Sequence, residues 1–352
     1  SPPAGIGVIR ISGRNCLKSL DSMVGKQLKE RSAELISIRE PNTRLVLDTC
    51  LALYFDGARS FTGEDSVEFQ CHGGLATISA VLSALGQLDG FREADPGEFT
   101  RRAFMNGKLD LTSVEGLADL IAAQTEEQRK QALEQTSGSL RILYDSWRKS
   151  LIEQRAFLEA ELDFSDEDDV PDSLRQTVYR QTRDLVDHIN QHLNDSNSGE
   201  IVRSGFRIAL LGPPNAGKSS LLNSLAKRDV AIVTPVAGTT RDAIEVSLDI
   251  DGYLVVVTDT AGLRATDDIV EKEGVKRAYD AARQADLALW LSPVNDPQSP
   301  PNGTSFVEIQ SKMDLVPSGS IVPGLTLDTV TEHGLNNLIA DISLRLKHQA
   351  GT

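Results

Sequence analysis

Residues 212–219, GPPNAGKS, fill every fixed position of the phosphate-binding pattern GxxxxGKS. Its glycines allow backbone N–H groups to turn toward phosphate oxygens, and Lys218 adds a positive charge for the β- and γ-phosphates. The hydroxyl of Ser219 is a suitable Mg²⁺ ligand. The pattern follows the apolar run FRIALLG and opens a helical pattern, as this mechanism requires, which argues against a chance glycine-rich turn.

A second motif, DTAG at 259–262, ends the apolar run YLVVVT and supports the first. It places Asp259 within reach of the Mg²⁺ shell and the Gly262 N–H near the γ-phosphate. Between the two motifs lies TPVAGTTRD (234–242), in which Thr240 can complete the Mg²⁺ shell. By itself this loop is explained equally well as a surface turn.

The sequence SKMD at 311–314 stands where a guanine-binding NKxD motif is expected. The Asp314 carboxylate can accept hydrogen bonds from the base, and Lys312 is also retained. Ser311 replaces the usual Asn, so we expect the side-chain amide that ties the base loop to the phosphate loop to be lost and guanine affinity to weaken. The alternative is that SKMD only caps a helix, since Ser is a good N-cap residue.

Leu263 follows DTAG where many small GTPases carry the glutamine that orients the attacking water. An aliphatic side chain cannot do this. Either hydrolysis is very slow, or another residue and an outside positive charge serve instead. Asn215 can offer its amide oxygen to a monovalent cation beside the phosphates, but its residue type alone leaves this open.

The hydrophobic periodicity predicts three regions. Strand-like runs and one helix over the first hundred or so residues indicate an α+β domain, and the alternation in SVEFQC puts Glu68 and Gln70 on a polar sheet face. Helical spacing then prevails. From residue 206 strands and helices alternate, which predicts a doubly wound, mostly parallel sheet with the phosphate loop at its carboxyl edge. The predicted domains are 1–112, 113–204 and 205–348.

Composition narrows the class of protein. The net charge of 36 − 51 = −15 gives no general attraction to nucleic acid, so RNA contacts must be local or supplied by a partner. Three scattered cysteines and the lack of a long apolar run indicate a soluble intracellular protein. The acidic run at 159–172 is interpreted as a solvated helix end and connector rather than a metal loop, because it lacks the Gly and the ligand spacing of an EF-hand loop. His72 beside Cys71 has no second Cys/His pair nearby, so we expect no metal there.

Several longer stretches carry a family resemblance. GIGVIRISG, FTGEDSVEFQCHGG and PGEFTRRAFMNGKLDLTSVEGLADLI, together with GPPNAGKSS, TPVAGTTRD and DTAGLR, resemble the MnmE (TrmE) tRNA-modification GTPases over essentially the whole chain. The resemblance implies an N-terminal folate-binding and dimerisation domain, a helical domain, and a Ras-like G domain inserted into it. It also implies a homodimer that works with the flavoprotein MnmG, as a heterotetramer, on carbon 5 of the wobble uridine of certain tRNAs. The expected compartment is the bacterial cytoplasm, or the mitochondrial matrix in a eukaryote.

The resemblance also implies a catalytic device in which K⁺ takes the place of an arginine finger when the G domains of a dimer meet. Asn215 is then the K⁺ side-chain ligand, and Thr234, Val236 and Thr239 belong to the loop around the ion. Glu271 is then the expected water-orienting residue, and Lys218 and Thr240 are the other expected catalytic residues. The alternative for Glu271 is an acid at a helix N-terminus, which the helix macrodipole favours. The residues expected to bind GTP or GDP, Mg²⁺ and K⁺ are Gly212, Asn215, Ala216, Gly217, Lys218, Ser219, Ser220, Thr234, Val236, Thr239, Thr240, Asp259, Gly262, Lys312 and Asp314.

In the N-terminal domain, Arg10, Glu68 and Lys108 match the positions that this family associates with a tetrahydrofolate derivative, either 5-formyl- or 5,10-methylene-tetrahydrofolate. A carboxylate on a polar strand face can accept two hydrogen bonds from a pterin ring, while surface charges on a small sheet are the plain alternative.

Two departures from the family pattern stand out. The chain stops at KHQAGT, without the family's last helical segment and Cys-containing tetrapeptide, so we expect a truncated chain. The family's Ser-Ala pair, which stands before a TGEGL-like run and contacts the base, is represented here only by Asp328 and Thr329 before TEHGL. Two other functions remain open: a regulatory or ribosome-assembly GTPase switch, which the G motifs alone do not exclude, and a folate-dependent one-carbon enzyme with a regulatory nucleotide domain.

Overall fold

The computed structural model describes residues 3–163, 172–228, 230–232, 244–259, 280, 282–300, 305–316, 324–329 and 334–351. Internal contacts divide the chain into two units, Ser1–Glu115 and Gly116–Thr352. The predicted nucleotide domain falls in the second unit, as does the predicted helical region from Gly116 onward. No helix among the described residues is long and apolar enough to cross a membrane.

The first unit is built on a four-stranded antiparallel sheet in the order β1-β4-β3-β2. The strands are β1 (Ala4–Ser12), β2 (Glu34–Arg39), β3 (Val46–Phe55) and β4 (Ser66–Gly73). Its helices are α1 (Leu17–Ser19), which continues as a π-helical turn (Leu20–Val24), α2 (Leu75–Gly86), α3 (Glu98–Met105) and the start of α4 (Leu111–Ala122). Three of the strands and α2 match the predicted pattern, whereas β2 was not predicted.

One face of this sheet forms the core of the unit. Val67, Phe69 and Cys71 of β4 are buried there, as the alternation predicts, together with residues of the neighbouring strands. The opposite face is not simply polar, which corrects the prediction made from β4 alone. Val8, Gln70, Leu51 and Leu35 follow one another across four strands, so aliphatic side chains of the other strands flank the polar residue of β4.

The carboxylate of Glu98, in α3, accepts several hydrogen bonds within the first unit. Glu98 is only 4% exposed, and its side chain accepts hydrogen bonds from Arg92 and Arg102 at 2.7 and 2.8 Å. The Asp95 N–H donates to it at 2.9 Å, and Arg102 also reaches Glu64 at 2.7 Å. These bonds, above all those from Arg92, hold the pKa of Glu98 far below its usual value. The stretch PGEFTRR therefore supplies a buried carboxylate that is shared by its own Arg102 and by Arg92, which precedes the stretch.

The second unit begins with helices, three of which contact one another. They are the end of α4, α5 (Glu126–Thr136), α6 (Ser139–Asp163) and α7 (Asp172–Ser204). Val178 and Leu185 of α7 are buried, as their helical spacing predicts. Part of the acidic connector, residues 164–171, lies outside the described residues. Gly116 has no space for a side chain, because a Cβ there would lie 2.9 Å from the Thr136 backbone N.

In the residues that the structure describes, the remainder of the second unit is built on a six-stranded sheet in the order β10-β9-β8-β5-β7-β6. Its elements are β5 (Phe206–Leu211), α8 (Lys218–Ala226), β6 (Ile244–Ile250), β7 (Tyr253–Asp259), β8 (Leu287–Pro293), β9 (Val307–Ser311), β10 (Leu325–Thr326) and α9 (Leu335–Ala350). Pairing is parallel except where β6 runs antiparallel to β7. The predicted mostly parallel, doubly wound class is confirmed, and β6 and β10 are additions that the sequence pattern did not reveal.

The Glu98 contacts generate a stability prediction. Glu98→Gln should lower the thermal unfolding midpoint of the chain at pH 7 by several degrees, because the variant removes the charge that both guanidinium groups contact. The lowered pKa means that this carboxylate stabilises the fold fully above the unfolded-state pKa of about 4.5. Its contribution falls as the pH drops below that value toward the folded-state pKa.

Calorimetric scans at pH 7 and at pH 3 measure the effect. Glu126→Gln is the matched control, since it removes one ion pair with Arg129 on the exposed surface of α5. The two variants should differ clearly at pH 7, and the effect of Glu98→Gln should shrink at pH 3. Equal shifts for both variants, or a Glu98→Gln effect that grows in acid, would contradict the assigned role of the carboxylate.

Candidate nucleotide and folate sites

The phosphate loop begins where β5 ends. Gly212 has a φ of 144°, and a Cβ there would lie 2.3 Å from the Leu291 carbonyl oxygen of β8. Glycine is therefore required, both for the backbone conformation and for the close approach of two strands. At the other end of the loop, Gly217 has a φ of 96° and is the N-cap residue of α8. The loop thus ends at a helix N-terminus, where backbone N–H groups favour an anion.

Asn215 lies within this loop in the left-handed region, with a φ of 61°. Asn tolerates this conformation better than most residues with a side chain. Its side chain is exposed, while the neighbouring Ala216 is fully buried. The amide is therefore available beside the loop, and its predicted role as a K⁺ ligand stays a prediction.

The Lys218 side chain bends back over the loop. It is 7% exposed, and Nζ donates to the carbonyl oxygens of Gly212 and Pro213 at 2.8 and 2.9 Å. Burial lowers the pKa of the ammonium, an effect that the carboxylate of Asp259 opposes. The Lys218 ammonium thus lies over the phosphate loop, where two carbonyl oxygens of the loop hold it.

Two oxygen donors with the chemistry of a Mg²⁺ site meet at the first turn of α8. Ser219 Oγ donates to Asp259 Oδ2 at 2.8 Å, and Asp259 is fully buried at the end of β7. Hydroxyl and carboxylate oxygens are ligands that Mg²⁺ prefers. The structure therefore brings together Ser219 and Asp259, which the sequence analysis predicted from two separate motifs. The predicted residue Ser220 follows in α8 and is exposed.

The base loop follows β9 at the same edge of the sheet. Lys312 has a φ of 61° and precedes a 3₁₀ turn, Met313–Leu315, which contains the exposed Asp314. Ser311 is 3% exposed, and its hydroxyl donates to the Ala216 carbonyl oxygen at 2.7 Å. This corrects the expectation that the tie between the two loops is lost. The shorter serine side chain makes the tie through a hydroxyl because the end of β9 lies against the phosphate loop.

Several predicted residues lie outside the part of the chain that the structure describes. They are Thr234, Val236, Thr239, Thr240, Gly262, Leu263 and Glu271. Asp328, after β10, is described and is 3% exposed.

The folate-related residues lie in the first unit. Arg10 of β1 and Glu68 of β4 are cross-strand partners, and Arg10 Nε lies 2.7 Å from Glu68 Oε1. The guanidinium carbon also lies 6.0 Å from the ring centroids of Phe61 and Phe99. The Lys108 ammonium is bonded instead to the Ala58 carbonyl oxygen at 2.6 Å. The structure therefore pairs two of the three predicted residues beside two aromatic rings.

The sulfur and imidazole groups of the first unit have other partners. His72 Nδ1 lies 2.8 Å from Asp48 Oδ1, and Cys50 and Cys71 Sγ are 3.9 Å apart in adjacent strands. Burial raises the pKa of the Cys16 thiol to about 12, whereas the hydrogen bond with Cys71, together with burial, raises the pKa of Cys50. Within the described ranges, no group of three Asp, Glu, His or Cys side chains is arranged to hold a metal ion.

Besides the strands β2, β6 and β10, three side-chain features are not predicted from the sequence: the Ser311 tie, the aliphatic row on the outer sheet face, and the buried Glu98 carboxylate. A hydroxyl that replaces an amide gives no signal of its partner. The aliphatic row can be recognised only when the pairing of the four strands is known. For Glu98, the basic residues of EFTRR were a usable signal, because an acid three or four residues before an arginine on a helix predicts a pair.

Comparisons with known proteins agree with this architecture. The family described as "GTP-binding protein TrmE N-terminus" matches residues 1–108, and the family described as "MnmE helical domain" matches residues 111–351. The tRNA modification GTPase MnmE of Rhizobium etli is 48% identical over 354 residues, which cover 100% of this chain and 80% of the relative. That of Agrobacterium fabrum is 52% identical over 290 residues, or 82% of this chain and 65% of the relative.

Among solved structures, Aquifex aeolicus Era matches with a TM-score of 0.31 and 21% identity, covering 40% of this chain and 56% of that chain. The sequence matches extend across both units and include the phosphate loop, the Ser219–Asp259 pair and the N-terminal sheet. This chain therefore belongs to the MnmE family of tRNA modification GTPases.

Proposed function

We propose that this chain binds and hydrolyses GTP as a component of the machinery that modifies tRNA. The observation that carries the proposal is the convergence, at one sheet edge, of the phosphate loop, the Ser219–Asp259 pair and the Ser311–Asp314 base loop. Family membership supplies the tRNA context, because the relatives are tRNA modification GTPases. The proposed compartment is the bacterial cytoplasm, or the mitochondrial matrix in a eukaryote.

The chain's own residues have distinct tasks in this proposal. The N–H groups of the loop and the Lys218 ammonium bind the β- and γ-phosphate oxygens. Ser219 and Asp259 hold Mg²⁺, with Thr240 completing the shell when a γ-phosphate is present. Glu271 orients the water that attacks the γ-phosphorus, and Lys312 and Asp314 bind guanine. The γ-phosphorus bond to the bridging oxygen breaks, which leaves GDP and inorganic phosphate.

K⁺ is proposed beside the phosphates, held by Asn215 together with Thr234, Val236 and Thr239. Bound there, K⁺ supplies the positive charge that other GTPases obtain from an arginine finger. The exposed, left-handed Asn215 supports this role, since its amide is not used in core packing. Because Leu263 cannot orient water, hydrolysis is expected to depend on Glu271 and on this charge.

Hydrolysis in different cations tests the nucleotide proposal. GTP turnover should be at least about tenfold faster in KCl than in NaCl at equal ionic strength, since an arginine finger in the same place contributes ~10³–10⁵. ATP is the control substrate and should be a poor one. Asn215→Gly keeps the left-handed backbone without the amide, so it should reduce the K⁺ response while GTP still binds.

In the same assay, Glu271→Ala should retain GTP binding and lose most hydrolysis. Equal rates in K⁺ and Na⁺ would contradict the cation mechanism, and faster turnover of ATP would contradict guanine recognition by the SKMD loop. Unchanged hydrolysis by Glu271→Ala would remove its assignment as the water-orienting residue.

We further propose that the first unit binds a reduced folate, 5-formyl- or 5,10-methylene-tetrahydrofolate, through Arg10, Glu68 and Lys108. The folate is the one-carbon donor for modification of the wobble uridine at carbon 5, with MnmG as the flavoprotein partner in a heterotetramer and tRNA bound through the complex. The Arg10–Glu68 pair next to Phe61 and Phe99 supports the first step, because a carboxylate and aromatic rings together suit a pterin.

Calorimetric titration with 5-formyl-tetrahydrofolate tests this site. Glu68→Gln should weaken binding by about tenfold or more, since a hydrogen bond to a charged group contributes about 1.5–3 kcal/mol. Glu34→Gln is a matched control, because Glu34 forms a comparable surface pair with Lys26 on the same unit. No folate binding by the natural chain, or equal losses in both variants, would overturn the assignment.

The outer sheet face supports a homodimer. On this face Ile6 and Val8 of β1 are 66 and 57% exposed, and Leu51 of β3 and Leu35 of β2 are 40 and 69% exposed, with Gln70 of β4 between Val8 and Leu51. An apolar row of this kind is typical of a contact surface. The Arg10–Glu68 pair lies two residues farther along the same strands, so a second copy that covers the row would also border the proposed folate site.

Light scattering measures the oligomeric state directly. The natural chain should have about twice the 38.2 kDa mass of one chain, and Val8→Asp should shift it toward the monomer. Leu75→Asp is the control, because Leu75 is 68% exposed in the first turn of α2, where an acid is well tolerated. A natural chain that stays monomeric at tens of micromolar, or equal effects of the two variants, would exclude a dimer through this face.

A further inference from the structure

Ser311 links two loops that are far apart in sequence. It is the last residue of β9, and its buried hydroxyl donates to the Ala216 carbonyl oxygen across 95 residues of sequence. Ala216 is fully buried, so its carbonyl oxygen has little access to solvent. Without the hydroxyl, a buried acceptor would lose this partner, which is costly in a protein interior.

The Ala216 carbonyl belongs to the phosphate loop, so the hydrogen bond from Ser311 acts on the backbone of that loop. The Ala216 C=O and the Gly217 N–H belong to one planar peptide group and point in opposite directions. Gly217 is the N-cap residue of α8, with a φ of 96°, next to Lys218. A hydroxyl that holds the carbonyl therefore also fixes the direction of the Gly217 N–H on the side of the loop that binds phosphate.

A second buried serine shows that this contact is not a general feature of the sheet. Ser292, in the adjacent strand β8, is 2% exposed and one residue from the position that pairs with Ser311. Its hydroxyl accepts a hydrogen bond from the Gln298 N–H, in the loop after β8. The two hydroxyls are thus similar in burial and location, but only that of Ser311 contacts the phosphate loop.

We propose that Ser311 is a positioning residue for the guanine nucleotide. It replaces the amide of the NKxD motif with a hydroxyl tie between the base loop, which carries Lys312 and Asp314, and the phosphate loop. The tie holds both loops in one arrangement, so that contacts to the base and to the phosphates form together and GDP release is slow. The inference rests on the proposed binding of GTP and adds the residue that couples the two halves of the site.

Release of a fluorescent GDP derivative from the full chain, measured well below the melting temperature, tests this role. Ser311→Ala should release GDP about tenfold faster, which corresponds to about 1.4 kcal/mol. The KM for GTP should rise to a similar extent, while kcat in K⁺ stays within about twofold because Ser311 does not touch the reacting atoms. Ser292→Ala should release GDP at the natural rate.

Ser311→Cys is a second variant of similar size with a weaker donor, and its release rate should lie between those of the natural chain and Ser311→Ala. GDP release by Ser311→Ala at the natural rate would overturn the proposal, as would an equal acceleration by Ser292→Ala. In either case GTP binding by the natural chain would leave the proposed function standing. A natural chain that binds no guanine nucleotide would overturn both.

Discussion

The parallel pairing of β7, β5, β8 and β9 is the constraint on which the nucleotide site depends. It brings the end of each strand to one edge, so that Gly212, Asp259 and Ser311 lie near one another despite wide separation in sequence. The pairing is tight enough that Gly212 leaves no room for a Cβ against Leu291. The turn of the phosphate loop, the placement of Lys218 and the contact with the base loop all follow from that close approach.

The sequence predicted the parts of this site that depend on local patterns. The phosphate loop, the Asp259 strand end and the mostly parallel sheet could be read from residue types, spacing and periodicity, because each is encoded within a short stretch. The antiparallel strand β6 and the short β10 could not, since their pairing depends on neighbours distant in sequence. The contact of Ser311 with Ala216 belongs to the same class, because a lone serine does not specify its acceptor.

The surface of the sheet in the first unit shows the same limit of prediction from a short stretch of sequence. Alternation in β4 correctly assigned Val67 and Phe69 to the core and Glu68 to the outer face. The character of that outer face depends on Val8, Leu35 and Leu51, which come from three other strands. A pattern in one strand reports the direction of its own side chains, while the chemistry of a surface is determined by the register of the whole sheet.

The three cysteines have a practical consequence for studying how the chain changes shape. Cys16, Cys50 and Cys71 are 2, 4 and 1% exposed, and they are the only cysteines in the sequence. A thiol must reach the reagent in order to react, so buried thiols react slowly with water-soluble maleimides or spin-label reagents. The natural chain should therefore take up little label from such reagents. A single cysteine introduced on an exposed position would carry a selective label, with no need to remove side chains from the core first.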